Sequence, residues 1–117
     1  LADKKKSIGF TYAFSGLKEV FKSERNFRFH IISAILVIIA GFLLGFGLIE
    51  WMIAITVIGL VMTAEILNTA IEEIINYLRP EIHPAAKKIK DLAAAGVFIA
   101  AVTAFVVGLL LFLPKLF

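Results

Sequence analysis

From Ile31 to Ile49 no residue carries a charge, and two further stretches of the same kind follow. The second starts at Trp51, stays uncharged to Ala64, and continues with helical periodicity through Glu65 to Leu78. The third runs from Leu92 to Leu113 and stops at Pro114-Lys115. A helix needs about 20 mainly apolar residues to cross about 30 Å of hydrocarbon, and each stretch qualifies. The chain is 117 residues long and 61% apolar, against roughly 45–50% in soluble domains. One aqueous core of this size cannot bury that much apolar surface, so the bilayer is its solvent. The fold class that follows is an all-α membrane protein forming a single domain over 1–117, with spans at about 30–49, 51–78 and 91–113.

The connections between the spans are short. Glu50 separates the first two, with Gly45 and Gly47 just before it, which predicts a tight helical hairpin with Trp51 at the membrane interface. Arg79 to Lys90 forms the second connection, where Pro80 and Pro84 break helix. Charge sets the topology. Lys4, Lys5, Lys6, Lys18, Lys22, Arg25 and Arg28 precede the first span, and Arg79, Lys87, Lys88 and Lys90 lie between the second and third. Lys115 alone falls on the other side. Positive charge is retained in the cytoplasm, so a multi-pass protein of the cell membrane is expected, with the N-terminus cytoplasmic and the C-terminus outside. The first long apolar run begins too far in for a signal h-region, and a cleaved leader is not expected.

Ahead of the first span, Phe10, Phe14, Leu17 and Phe21 recur at helical spacing, with Lys18, Glu19 and Lys22 off that stripe. This predicts an amphipathic surface helix over about 7–28, lying in the cytoplasmic interface; a soluble helix packed on the long loop is the alternative. The chain contains no cysteine, which excludes disulfides, thiolate zinc sites and cysteine nucleophiles. The net charge of +3 is spread beside apolar runs and suits anionic headgroups better than nucleic acid.

The second span carries residues that hydrocarbon should exclude. At about 100° per residue, Glu65, Asn68, Glu72 and Asn76 fall within roughly an 80° arc, with Ile66, Leu67, Ile71, Ile74 and Ile75 covering much of the remainder. Counted from Trp51, Glu65 lies about 21 Å along the helix, inside the hydrocarbon near its cytoplasmic edge. A carboxylate there costs about 3 kcal/mol even on lenient scales, and such groups usually face a bundle interior and mark function. Sliding the helix outward would hydrate Glu72, Glu73 and Asn76, and for Glu73 that solvated reading is preferred. It fails for Glu65, because it would draw the start of the helix into the bilayer.

Other polar residues converge on the same level. They are Glu24 before the first span, His30 just inside it, Glu81 and His83 in the loop, and Lys90-Asp91 opening the third span ahead of the small residues Ala93 to Gly96. Each also has an ordinary structural reading: His30 or His83 as an interfacial ring, Lys90 as an anchor, Asp91 as a helix N-cap. Taken together, carboxylates with a carboxamide suit Mg²⁺, a hard ion that takes oxygen ligands and bridges to phosphates. Lysines suit phosphate oxygens, and a buried carboxylate is a candidate general base for a hydroxyl. Phosphoryl transfer asks mainly for positioning and charge neutralisation, so the set is sufficient for it. Neither a GxxxxGK[ST] loop nor a protein-kinase signature is present.

The run Glu65-Ile66-Leu67-Asn68-Thr69-Ala70-Ile71-Glu72 resembles the signature of the small bacterial diacylglycerol kinase family of integral membrane lipid kinases. The resemblance extends to Tyr12-x-x-x-Gly16-Leu17, Glu24-x-x-x-Arg28, His83 and Lys90-Asp91, and so covers essentially the whole chain. Within the family, Glu24-Arg25-Asn26-Phe27-x-Phe29-His30, Ile49-Glu50-Trp51-Met52 and His83-Pro84-x-Ala86-Lys87 look most like the Gram-positive undecaprenol kinase branch. The resemblance implies a homotrimer with composite sites between subunits, Mg²⁺ as cofactor, ATP as donor and a lipid alcohol as acceptor. It further implies Glu65 as proton acceptor from the lipid hydroxyl, Asn68 as an orienting group, and Glu24 and Glu72 as holders of metal and nucleotide. Tyr12, Glu81, Ile82, His83, Lys90 and Asp91 would line the nucleotide site, and Arg28 and Lys5 would stand with Glu65 toward the lipid. Asn76 departs from the family, whose motif commonly ends in Asp. Ala94 stands where the diacylglycerol enzyme has a serine, which favours a different acceptor. The implied activity is phosphorylation of undecaprenol, with diacylglycerol as the alternative acceptor. A small pore or transporter subunit is the alternative of a different class, and it leaves the grouping of Glu24, Glu72 and Lys90-Asp91 unexplained.

Overall fold

The computed structural model describes residues 5–78 and 83–117, with side chains described from residue 9 onward. Four helices follow one another: α1 (Lys5–Ser23), α2 (Arg25–Leu44), α3 (Leu48–Leu78) and α4 (Pro84–Leu116). α2, α3 and α4 are each long and apolar enough to cross a membrane, which makes this a multi-pass membrane protein. At 1.5 Å per residue α3 and α4 are about 46 and 50 Å long, well beyond the hydrocarbon thickness.

The molecule measures 51 × 42 × 21 Å, with a radius of gyration of 17.4 Å. A compact soluble chain of this length would have a radius near 13 Å by the usual scaling. The difference is that of a thin slab with apolar faces on its outside: Phe14 is 68% exposed, Phe105 67% and Leu110 71%. Such a surface needs lipid or further protein against it.

Packing among the spans follows a seven-residue seam of small side chains. The buried residues of α2 are Phe27, Ala34 and Gly41, those of α3 begin with Ala54 and Val61, and those of α4 are Ala86 and Ala100. A heptad repeat holds one stripe of a helix against its neighbours, and small residues let the backbones approach.

Two sharp joints organise the chain. Glu24 is extended (φ −115°, ψ 111°) between α1 and α2, so α1 ends several residues before the 7–28 stretch expected of the surface helix. Arg28 fastens this elbow: its Nη1 donates to the carbonyl oxygens of Phe21 at 2.7 Å and Lys22 at 3.0 Å. A guanidinium on the last carbonyls of a helix satisfies acceptors that have no intrahelical partner and complements the dipole. At the other end of α2, Gly45 takes the left-handed conformation (φ 73°) and the Phe46 N–H donates to the Gly41 carbonyl at 2.9 Å. This is a Schellman closure, for which glycine is the usual residue. The hairpin therefore turns at residues 45–47, and Glu50 lies inside α3, its Oε1 accepting from the Gly47 N–H at 2.9 Å.

A clasp beyond the hairpin ties it to the end of α4. Trp51 stacks obliquely on Phe42 (4.8 Å) and meets Phe46 edge-on (5.3 Å), and Phe46 packs on Phe112 (5.2 Å). Lys115 Nζ lies 3.1 Å from Glu50 Oε2. Gly41 is needed here, because a Cβ at that position would stand 2.7 Å from Trp51 Cη2 and 2.9 Å from Phe46 Cδ2. Gly41→Val is expected to lower stability by about 2 kcal/mol, in the range for overpacking a filled site. The thermal midpoint in detergent and a shifted Trp51 emission would report it.

Candidate active site

The small-residue seam of α3 changes chemistry as it leaves the hairpin. After Ala54 and Val61 the next buried residue on that helix is Glu65, followed on the same stripe by the half-buried Asn68 and Glu72. Glu65 is 2% exposed, the sole buried charged residue among those described. Neither its Oε2 nor Asn68 Oδ1 has a hydrogen-bond partner among the described residues. Buried polar atoms in folded proteins are nearly always paired, so two orphans side by side mark a place built for something else.

His30 on α2 is the neighbour that reaches Glu65. Its Nε2 lies 3.2 Å from Glu65 Oε2, a close contact that leaves Oε2 without a hydrogen bond among the described residues. The antiparallel hairpin explains the meeting: Gly47 stands 17 residues from His30 and 18 from Glu65, so both lie at one depth. The sequence places His30 in the polar set near Glu65, with an interfacial ring as its alternative, and assigns it no role of its own. Counting outward from the hairpin glycines is the signal that would have paired the two.

Glu24 faces the same region from the elbow. It occupies the N-cap position of α2 but makes no cap hydrogen bond with its side chain. Burial, then the charges of Glu72, Glu65 and Glu73, push its carboxyl above the ordinary value of 4.5, opposed only by Arg28. Four carboxylates thus share one field. Among the described residues, no three acidic or histidine side chains form a ready ligand cage; these acids repel one another without converging on a point.

The α4 residues divide between packing and surface. Lys90 Nζ donates to Asn76 Oδ1 at 2.6 Å, a cross-link from α4 to the end of the polar stripe on α3. Lys90-Asp91 does not open the helix; α4 already begins at Pro84, and Asp91 pairs with Lys87 one turn earlier at 2.6 Å. The N-cap is His83 instead, whose Nδ1 accepts from the Ala85 N–H at 3.0 Å, with Pro84 in the first turn. Tyr12 is exposed on α1. The Arg28 guanidinium is engaged by the α1 carbonyls. Glu73 is exposed, in keeping with its solvated reading. Glu81, Ile82 and the side chain of Lys5 lie outside the described residues.

An apolar groove of about 580 Å³ runs between α2, α3 and α4. Its walls include Ala34, Ala54, Ala101 and Gly108, and it extends from Phe29 and His30 to Leu113 and Leu116. His30 and Ser33 are its polar lining residues, both at the Glu65 end.

The family model for prokaryotic diacylglycerol kinase matches residues 11–112. The chain belongs to that family. Its relatives include an undecaprenol kinase of Bacillus subtilis, 46% identical over 92% of this chain and 87% of the relative. A diacylglycerol kinase of Synechocystis is 38% identical over 93% of this chain and 63% of its own length. A diacylglycerol kinase of Haemophilus influenzae is 38% identical over 76% of this chain and 75% of the relative. The protein is therefore a membrane-embedded lipid kinase, and the polar stripe of α3 lies inside the matched region.

The raised carboxyl of Glu24 sets a direction for pH. A folded-state pKa above 4.5 means that the folded protein holds the proton more tightly than the unfolded chain. Stability therefore falls as pH rises from that value through the raised one. Thermal unfolding in detergent with chelator, followed upward from pH 4, is expected to show this loss beginning near the ordinary carboxyl value of 4.5. Glu24→Gln is expected to flatten it.

Proposed function

We propose that this protein transfers the γ-phosphate of ATP to undecaprenol at the cytoplasmic face of the cell membrane, and that Glu65 is the proton acceptor. The observation carrying this reading is the orphaned carboxylate oxygen of Glu65, buried against His30, which lines one end of an apolar groove. A long polyprenyl tail suits a groove whose walls are Ala, Val, Ile, Leu and Phe, and the groove ends at His30, against Glu65. The relative at 46% identity is an undecaprenol kinase, which favours that alcohol over diacylglycerol. Lys18, Lys22, Arg25, Lys87, Lys88 and Lys90 all belong to the end that carries Glu65, which supports placing that end in the cytoplasm.

In this reading the lipid hydroxyl loses its proton to Glu65 as its oxygen bonds to the γ-phosphorus and the bond to ADP breaks. Asn68, half-buried one turn from Glu65, orients the hydroxyl oxygen or a phosphate oxygen by donating from its Nδ2 amide. The donor set suits Mg²⁺ by type: its ligands would be hard oxygens, and a cation would relieve the mutual repulsion of Glu24 and Glu72. Glu24 and Glu72 would hold the ion. When bound it neutralises triphosphate charge, the main demand of this transfer. Lys90, held by Asn76, stands with Tyr12, Glu81, Ile82, His83 and Asp91 as the nucleotide side of the site, and Arg28 and Lys5 as the headgroup side. A homotrimer would cover the apolar faces of the slab and bring groups from a second subunit to Glu65 and Asn68.

Labelled ATP supplied to the purified protein in mixed micelles, with undecaprenol and diacylglycerol in competition, tests the acceptor. Undecaprenyl phosphate is expected to dominate. A majority of phosphatidic acid would reverse the choice, and no labelled lipid from any alcohol would overturn the reading. Glu65→Gln is expected to keep its helical circular dichroism and lose about 10²–10⁴ in turnover, the usual scale for removing a general base.

A further inference from the structure

Glu65 poses a problem that its role as proton acceptor does not solve. On the reading above it gains a proton in every cycle, yet its side chain is 3% exposed and it packs in a seam between helices. Before the next turnover that proton must leave. Water has no direct access to a group so deeply enclosed, and a carboxylic acid left protonated cannot act again.

One described side chain bridges the enclosed acid and the outside. The imidazole of His30 places Nε2 3.2 Å from Glu65 Oε2 while remaining 18% exposed itself. Its surroundings contain few competing charges. On its own helix, Arg28 spends its guanidinium on the α1 carbonyls, and Glu24 lies six residues earlier beside Glu72 and Glu73. From α3 the titratable group facing it is Glu65. From α4 the groove presents Ala101, Ala104 and Phe105, which are apolar. The ring of Phe29 meets the imidazole edge-on at 5.7 Å. Among the described residues, no other basic side chain forms a pair with Glu65.

We propose that His30 is the proton exit that resets Glu65, a positioning and relay residue for the kinase reaction. The proton taken from the lipid hydroxyl passes from Glu65 to His30 Nε2. The imidazolium then releases its Nδ1 proton to water that reaches the accessible edge of the ring once the lipid product has left the groove, and solvent exchange there restores the starting tautomer. Glu65 is again a carboxylate and His30 again neutral, so nothing accumulates. Histidine suits the task because an imidazole takes up and gives away a proton near neutral pH, which a lysine or arginine in that place would not.

This inference rests on Glu65 being the proton acceptor, and rapid-quench kinetics with labelled ATP in undecaprenol micelles separates the two. His30→Gln keeps a polar group of similar reach but cannot relay a proton. It is expected to form one product per site at the normal rate, then slow by about tenfold or more, with the lipid KM within about twofold. His30→Ala should behave alike, with its steady-state rate recovering as imidazole is added to the buffer. Normal steady-state turnover in His30→Gln, a slowed first turnover, or failure of imidazole to revive His30→Ala would each overturn the relay. Glu65→Gln is the control: inactive and not revived by imidazole if Glu65 is the base. If Glu65→Gln were active, the base assignment itself would fall, whatever His30 does.

Discussion

A carboxylate in the packing line between membrane helices is the constraint around which this structure is arranged. Glu65 occupies the stripe that Ala54 and Val61 use for close helix contact, so it can neither snorkel to the headgroups nor face lipid. Whatever surrounds it must supply polarity, and the hairpin does so by bringing His30 to its depth. The same stripe goes on to Asn68 and Glu72, so one helix face is an apolar packing surface at one end and a polar, partly unpartnered one at the other. The small side chains of α2 and α4 permit that change of use, because they let the spans approach without filling the groove that leads to the acid.

The two ends of the molecule are held by different forces. Near Gly45 the chain is locked by a Schellman closure, stacked aromatic rings and the Glu50–Lys115 pair. Near Glu65 the ties are single polar contacts, Arg28 on the α1 carbonyls and Lys90 on Asn76. Aromatic contacts of this kind are worth about 0.5–1.5 kcal/mol each beyond their burial, whereas exposed polar pairs contribute less. Rigidity therefore sits away from the polar stripe, and the acid-bearing end, the proposed site, is the more loosely tied.

Much of this was legible in the sequence, because its strongest signals are periodic. Uncharged runs of span length gave the three helices and the fold class, and the 80° arc gave the polar stripe that begins at the buried Glu65 and reaches the surface by Asn76. Joints were harder to place. The surface helix was expected to run to about residue 28, but Glu24 breaks it because Arg28 folds back to close the end of α1, a side-chain contact with no periodic trace. The hairpin was centred on the charge at Glu50, whereas the left-handed Gly45 makes the turn. Asp91 was weighed as an N-cap and His83 as a site residue or interfacial ring; the backbone gives the capping to His83 because Pro84 follows it. His30 was legible as one of several polar residues near the level of Glu65, but its direct contact with that acid depends on packing across the hairpin, which no window along one helix can reveal.

The surplus length of α3 and α4 has an outcome of its own. Both exceed the hydrocarbon by well over a dozen ångströms, and the three-residue turn at 45–47, with Trp51 beside it, leaves little room for overhang there. The excess must emerge at the opposite end, as two helical posts standing clear of the lipid. Glu72, Glu73 and Asn76 ride on one post and Lys87, Lys88 and Lys90 on the other, so acids and cations face each other above the lipid on two parallel stems.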